Sequence, residues 1–215
     1  MSNLDQARVA SRTAETTRAA LIKAATSVFA EYGYDGGSVR LITQRAMANQ
    51  AAVNYHFGGK DGLYREVLIA ATHAFEENAF LDSEELDSLS PDDALRRYLH
   101  QFLLPLVKRD RVSRYLRIFA WESVQPSQVF SAFITNSPPR IFRLAERVVR
   151  RFLPQDASAE TVTFATLWLA QQPMFLVREA ERLAQPPFSL KFDDEALERL
   201  VDTLSALSLR GLAGV

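Results

Sequence analysis

Cysteine is absent from all 215 residues, which excludes a disulfide framework, a zinc ribbon, an iron–sulfur site and a cysteine nucleophile. Long hydrophobic runs are missing too. The best uncharged run beyond the first third, Thr161 to Val177, is 17 residues and holds Gln171, Gln172, Pro173 and three threonines. A membrane span needs about 20 predominantly apolar residues, so this run reads as a buried helix and no membrane partner is expected. Met1-Ser2-Asn3-Leu4-Asp5-Gln6 lacks an apolar signal region, and the expected location is cytoplasmic. Catalytic motifs are fragmentary. Gly58-Gly59-Lys60 lacks the upstream glycine and following hydroxyl of a phosphate loop, and Gly36-Gly37-Ser38-Val39-Arg40 puts arginine where a nucleophile elbow needs glycine. His56, His73 and His100 are too scattered to suggest a metal cluster. No catalytic residue, metal site or cofactor is expected.

What is present is an ordinary globular composition, 47% hydrophobic and 24% charged, long enough to bury a core without staples. The net charge of −1 hides an asymmetry. Residues 1–65 carry eight basic and five acidic side chains, net +3, whereas the rest carries 17 and 21, net −4. A basic head on an acidic body suits an anionic partner, although so few charges also allow chance asymmetry.

The apolar period is helical nearly everywhere, and the fold class is all-α: an N-terminal three-helix helix-turn-helix head on a larger helical body. Residues 1–15 lack an apolar face and read as a flexible tail. Residues 16–62 form the head, and residues 63–215 a larger helical body. Leu21, Ala25, Val28, Phe29 and Tyr32 share one helix face, with Gly33 as the stop. Ser38 caps a helix to Ala46, Asn49 caps another through His56, and a longer one runs from Lys60 to about Ala79. Beyond an acidic connector, Ser90-Pro91 starts a helix to about Arg109 with a bend at Pro105. Further helices are expected over about 111–124, 127–135, 139–153 and 158–184, the last with Pro173 as a kink point, and from Asp193-Asp194-Glu195 to about Arg210.

Three short helices within residues 17–56, the last two separated by about three residues, fit a helix-turn-helix. Such a motif lays its second helix in the major groove of double-stranded DNA. Here that helix is Asn49-Gln50-Ala51-Ala52-Val53-Asn54-Tyr55-His56. Gln50 and Asn54 carry amides that pair with adenine edges, and Ala51 and Ala52 permit close approach to thymine methyls.

The stretch from Ala20 to about Leu68 resembles the TetR family of bacterial transcriptional regulators. The resemblance rests on Ala24-Ala25, Phe29, Tyr32-Gly33-Tyr34, Ser38-Val39, Ile42, Ala46 and Val53-Asn54-Tyr55-His56-Phe57, followed by Lys60, Leu63 and Tyr64. It implies that Ser38 and Val39 begin a helix against the DNA backbone, that Arg40 reaches a base, and that Gln50, Ala51, Ala52 and Asn54 face bases. Tyr55, His56 and Lys60 match positions that contact phosphate or lie at the interface. Structural readings stand beside these: a packed Tyr55, a dipole-stabilised His56, a solvated Lys60 or Arg40. Met47 stands where the family usually has a turn glycine, so either the turn is adjusted or Met47 is strained.

Residues 110–210 resemble the subgroup with a CecR-type C-terminal domain, through Trp121-Glu122-Ser123-Val124-Gln125-Pro126-Ser127 and Ala170-Gln171-Gln172-Pro173-Met174-Phe175. The resemblance implies a homodimer and a small-molecule effector in the body. Two-fold symmetry independently matches a palindromic operator. Leu197, Leu200, Val201, Leu204 and Leu207-Ser208 form one stripe, and Phe164, Leu167, Trp168 and Gln171 another, for pairing or for the monomer core. Candidate effector walls are Phe102, Phe119, Trp121, Phe130, Phe133, Trp168 and Phe175, with Arg117, Glu122 and Gln172 as polar anchors; plain core packing is the alternative. Arg143, Arg147, Arg150 and Arg151 form a basic stripe, solvated or anion-binding. The expected function is a repressor released by its effector. Activation, a protein-interaction module and a small-molecule enzyme on a helical bundle remain as alternatives.

Overall fold

The computed structural model describes residues 3–77, 83–108, 110–136 and 140–212, and every regular element among them is helical. The head comprises α1 (Asn3–Gly36), α2 (Val39–Ala46), α3 (Gln50–Phe57) and the start of α4 (Lys60–Glu77). The body adds α5 (Ser83–Ser88), α6 (Pro91–Leu103), α7 (Arg111–Glu122), α8 (Gln128–Asn136), α9 (Arg140–Val149), α10 (Ala159–Leu183) and α11 (Asp194–Leu212). Residues 78 and 79, placed at the end of the α4 helix by periodicity, and Arg109 lie outside the described residues. Among the described residues no helix is long and apolar enough to cross a membrane.

Local signals act where they fall. Ser38 and Ser90 cap α2 and α6 by accepting from the amides of Leu41 and Asp93, and Asn49 caps α3 by accepting from Ala51. Pro105 ends the α6 helix and forces a 3-10 turn over Leu104–Leu106, because its ring displaces the carbonyl four residues back. Pro173, in contrast, sits inside a continuous α10.

The residues expected to be a tail are helical from Asn3, since nothing between Asn3 and Gly33 breaks a helix: no proline or glycine intervenes, and alanine and arginine recur. Gly33 does break it, with φ 69°. The Trp121 indole covers this glycine so closely that an added Cβ would lie 3.2 Å from the ring. Gly33 is thus required by both its backbone and its neighbour.

Leu21, Ala25, Val28 and Phe29 are buried as their spacing predicts, joined by Ile42 from α2, Val53 from α3 and Leu63, Tyr64 and Val67 from α4. Tyr32 departs from that face. It is exposed at the edge of α1, where the Arg45 guanidinium lies 5.9 Å from its ring centre. α7 is the shared platform: α1 and α4 pack on it from the head side and α10 from the body side. The head core therefore continues directly into the body core through Tyr115, Ile118 and Phe119.

Candidate nucleic-acid interface

α2 and α3 meet through a turn in which Met47 adopts the left-handed conformation, φ 51° and ψ 40°, with 95% of its surface exposed. The tight turn is therefore retained without the glycine, and Met47 carries the strain. Its amide donates to Gln44 and that of Ala48 to Thr43, which closes α2 and sets the angle of α3.

α3 is anchored by one fully buried side chain, Val53, with Phe57 and Ala52 packed partly against the core. The opposite face presents Gln50, Ala51, Asn54 and Tyr55, all exposed. Asn49 spends its amide oxygen on the cap, 3.0 Å from the Ala51 amide. Ser38 and Arg40 are exposed at the start of α2, whereas Val39 packs partly inward. His56 is half-buried, its ring 4.9 Å from that of Tyr55. The outward amides, the small Ala51 and an uncovered helix face have the form of a groove-reading surface.

Lys60 stands at the first turn of α4. Its ammonium lies 4.4 Å from the Tyr34 ring centre and 3.4 Å from the Asp35 carbonyl, so the charge is held in place. Tyr34 donates to Asp61 and rests 4.8 Å from the Tyr64 ring. Burial, then the hydrogen bond to Asp61, pushes the Tyr34 phenol up to about 12.

Tyr64 continues inward. Its hydroxyl donates to Glu122 at 2.5 Å, and the same carboxylate accepts from the Ser127 amide at 2.6 Å and its hydroxyl at 2.9 Å. Glu122 is only 3% exposed, so these donors replace its water. Burial and the nearby carboxylate hold the Tyr64 phenol protonated far above its ordinary range. Tyr34, Tyr64 and Ser127 entered the sequence reading only as carriers of the resemblance, with no role assigned; their contacts join residues up to 58 positions apart, which no periodicity records.

The ten effector candidates are dispersed. Phe119 and Phe130 meet edge-on at 5.5 Å and wall a cavity of about 30 Å³ with Phe142 and Met174. That volume holds roughly one water molecule. Phe102 is buried against Tyr98 at 4.7 Å, and Phe133 is half-buried. Glu122 serves Tyr64 and Ser127. Gln172 donates back to the Trp168 carbonyl, and Trp168 and Phe175 face outward. Arg117 donates to the Pro105 carbonyl, and Trp121 donates to the Ala30 carbonyl at 3.4 Å across the head–body seam. The basic stripe runs from α9 into the turn after it and is engaged there: Arg147 pairs with Asp87, Arg150 with Glu146, and Arg151 donates to the Leu86 and Leu89 carbonyls.

A helix-turn-helix head fused to a helical body defines a class of DNA-binding regulators, and comparison with known proteins gives the family. The family model described as "Bacterial regulatory proteins, tetR family" matches residues 21–67, and that of the C-terminal domain of "HTH-type transcriptional dual regulator CecR" matches residues 91–212. The chain belongs to the TetR family of DNA-binding transcriptional regulators, with a CecR-type C-terminal domain. The HTH-type transcriptional repressor NicS of Pseudomonas putida is 34% identical over 88 residues; the match spans about two fifths of each chain, 41%. AibR, solved in complex with isovaleryl coenzyme A and operator DNA, shares the fold at a TM-score of 0.63 and 16% identity, covering 89% of this chain and 97% of AibR. A TetR-like regulator from Rhodococcus sp. RHA1 does so at 0.61 and 19%, covering 93% and 97%.

Proposed function

We propose that the chain is a homodimeric repressor that binds a palindromic operator and is released when a small molecule occupies the body. The observation that carries the DNA half is α3, anchored by the buried Val53 and turning Gln50, Ala51, Asn54 and Tyr55 to solvent. In this reading Gln50 and Asn54 contact bases, Arg40 reaches a base from α2, and Ser38, Tyr55, His56 and Lys60 contact the backbone. Residues 16–62 act as the reading head and residues 63–215 as the effector and dimer unit.

The dimer is supported by an apolar outer face. Phe164, Leu167, Trp168 and Phe175 on α10 and Leu207 on α11 are all exposed, a concentration that a soluble monomer rarely leaves uncovered. Pairing α10 and α11 with their copies covers this face and sets the separation of the two α3 helices. NicS carries the word repressor and AibR is solved with an acyl coenzyme A and operator DNA, which is consistent with this mode of action. Release follows if the effector favours an arrangement of the heads that misfits the operator. The Lys60–Tyr34–Tyr64–Glu122–Ser127 chain of contacts supplies a direct mechanical link, since Ser127 also caps α8 by accepting from the Phe130 amide.

The test is a titration of purified protein against its own upstream DNA at two salt concentrations, with random DNA as competitor. Salt-sensitive, selective binding by a dimer is expected. Binding equal to that of random DNA, with none recovered in a genome-wide fragment selection, overturns the reading.

A further inference from the structure

We propose a second ligand site at the seam between head and body, an anion-binding cleft distinct from the closed aromatic interior. Its floor is α7, which places Arg114, Arg117 and Trp121 one helical turn apart on a single face. α1 forms one wall with Glu31, and α10 the other with Val177 and Arg178. The cleft encloses about 390 Å³, within the range of small-molecule sites and over ten times the aromatic cavity.

The lining selects the ligand chemistry. Three arginines, Arg114, Arg117 and Arg178, line the cleft against two carboxylates, Glu31 and Glu181. The Glu31 carboxylate on the facing wall is already paired with Arg45 at 2.8 Å. Arg178 has only 13% of its side chain exposed, held by Glu179 at 2.8 Å and by the Phe175 ring. Arg117 keeps its Nε buried without a hydrogen-bond partner, a donor already stripped of water. Planar guanidinium forks beside an indole and the Val177 side chain suit a carboxylate or phosphate on a compact apolar body. The oxyanion lies between Arg117 and Arg178, and the apolar part lies against Trp121.

Position gives the site a consequence. Trp121 already bonds to the head at Ala30 and covers Gly33. A ligand wedged between α1 and α10 alters the gap between the head and the dimer-forming helix. Binding in the cleft stands independently of the regulator reading, whereas its effect on DNA rests on that reading.

The experiment uses the full chain with benzoate and phenyl phosphate as probes, followed by calorimetry and tryptophan emission. Saturable heat with at least one probe is expected, the pair distinguishing carboxylate from phosphate. An emission change that disappears in Trp121→Phe is expected alongside it. Arg178→Gln should weaken binding at least tenfold while circular dichroism stays unchanged; Arg117→Gln gives a second reading at a separate anchor. No saturable binding by either probe, or equal affinity in the Arg178→Gln and Arg117→Gln variants, overturns the site. Operator titration with and without the bound probe is read separately: loss of all DNA binding in the unliganded chain indicts the regulator reading and leaves the cleft standing.

Discussion

The Tyr64 hydroxyl, on the helix that leaves the DNA-reading head, donates to the buried carboxylate of Glu122 at the end of α7. The same carboxylate holds the first turn of α8 through Ser127. One buried charge thus pins three helices, and Tyr64 also supports Phe29 at 4.7 Å and Tyr34 in the head. Hydrogen bonds to a buried charge are costly to break, so the head cannot move against the body without disturbing this group.

Tyr64→Phe should destabilise the protein by about 1.5–3 kcal/mol, the usual cost of removing a hydrogen bond to a charged group. Equilibrium unfolding in urea measures it. A loss below about 0.5 kcal/mol means that the other two donors suffice.

Alkaline pH should expose Tyr34. Its folded phenol is raised from 10.0 to about 12, chiefly by burial and then by Asp61, so its contribution is complete below pH 10. Between those values the unfolded chain loses the proton first, and stability falls as pH rises. Unfolding at about pH 9 and about pH 11 should show a steeper loss in the wild type than in Tyr34→Phe; parallel losses contradict the assignment.

Met47→Gly should stabilise the head by about 1 kcal/mol, because glycine adopts the left-handed turn without the Cβ clash. The side chain is almost wholly exposed, so no packing is lost in exchange. A higher urea midpoint with unchanged denaturant slope is the expected result.

Two head substitutions should separate positioning from reading. Lys60→Ala should weaken binding to all DNA sequences and lower the salt slope by about one ion. Asn54→Ala should cost about 1–3 kcal/mol on the operator alone. Equal losses on operator and random DNA remove Asn54 from the readout.

Phe164→Asp should split the proposed dimer, since this side chain is 64% exposed on the outer face of α10 and has little monomer packing to lose. Sedimentation should report a folded monomer with weakened operator binding. A dimer of unchanged affinity places the interface elsewhere.

Much of the architecture was local enough to be determined by sequence alone. Ser38, Asn49 and Ser90 start helices because each can bond to its own following amides, and Pro105 stops one for want of space and a donor. The exposed face of α3 was legible in part: Gln50, Ala51, Asn54 and Tyr55 turn to solvent around a buried Val53, whereas Ala52, expected on the same face, packs partly against the core. Tertiary structure decided the partners. Trp121 and Glu122 both read as pocket residues; Trp121 lines the seam cleft and also covers Gly33 in the head, whereas Glu122 receives Tyr64. Helical spacing also could not tell that Phe164, Leu167 and Trp168 face outward while Phe119 and Phe130 close around a space of water-molecule size. The physical reason is that periodicity specifies a face, whereas burial, charge pairing and cavities depend on which other helix, distant in the chain, comes to lie against it.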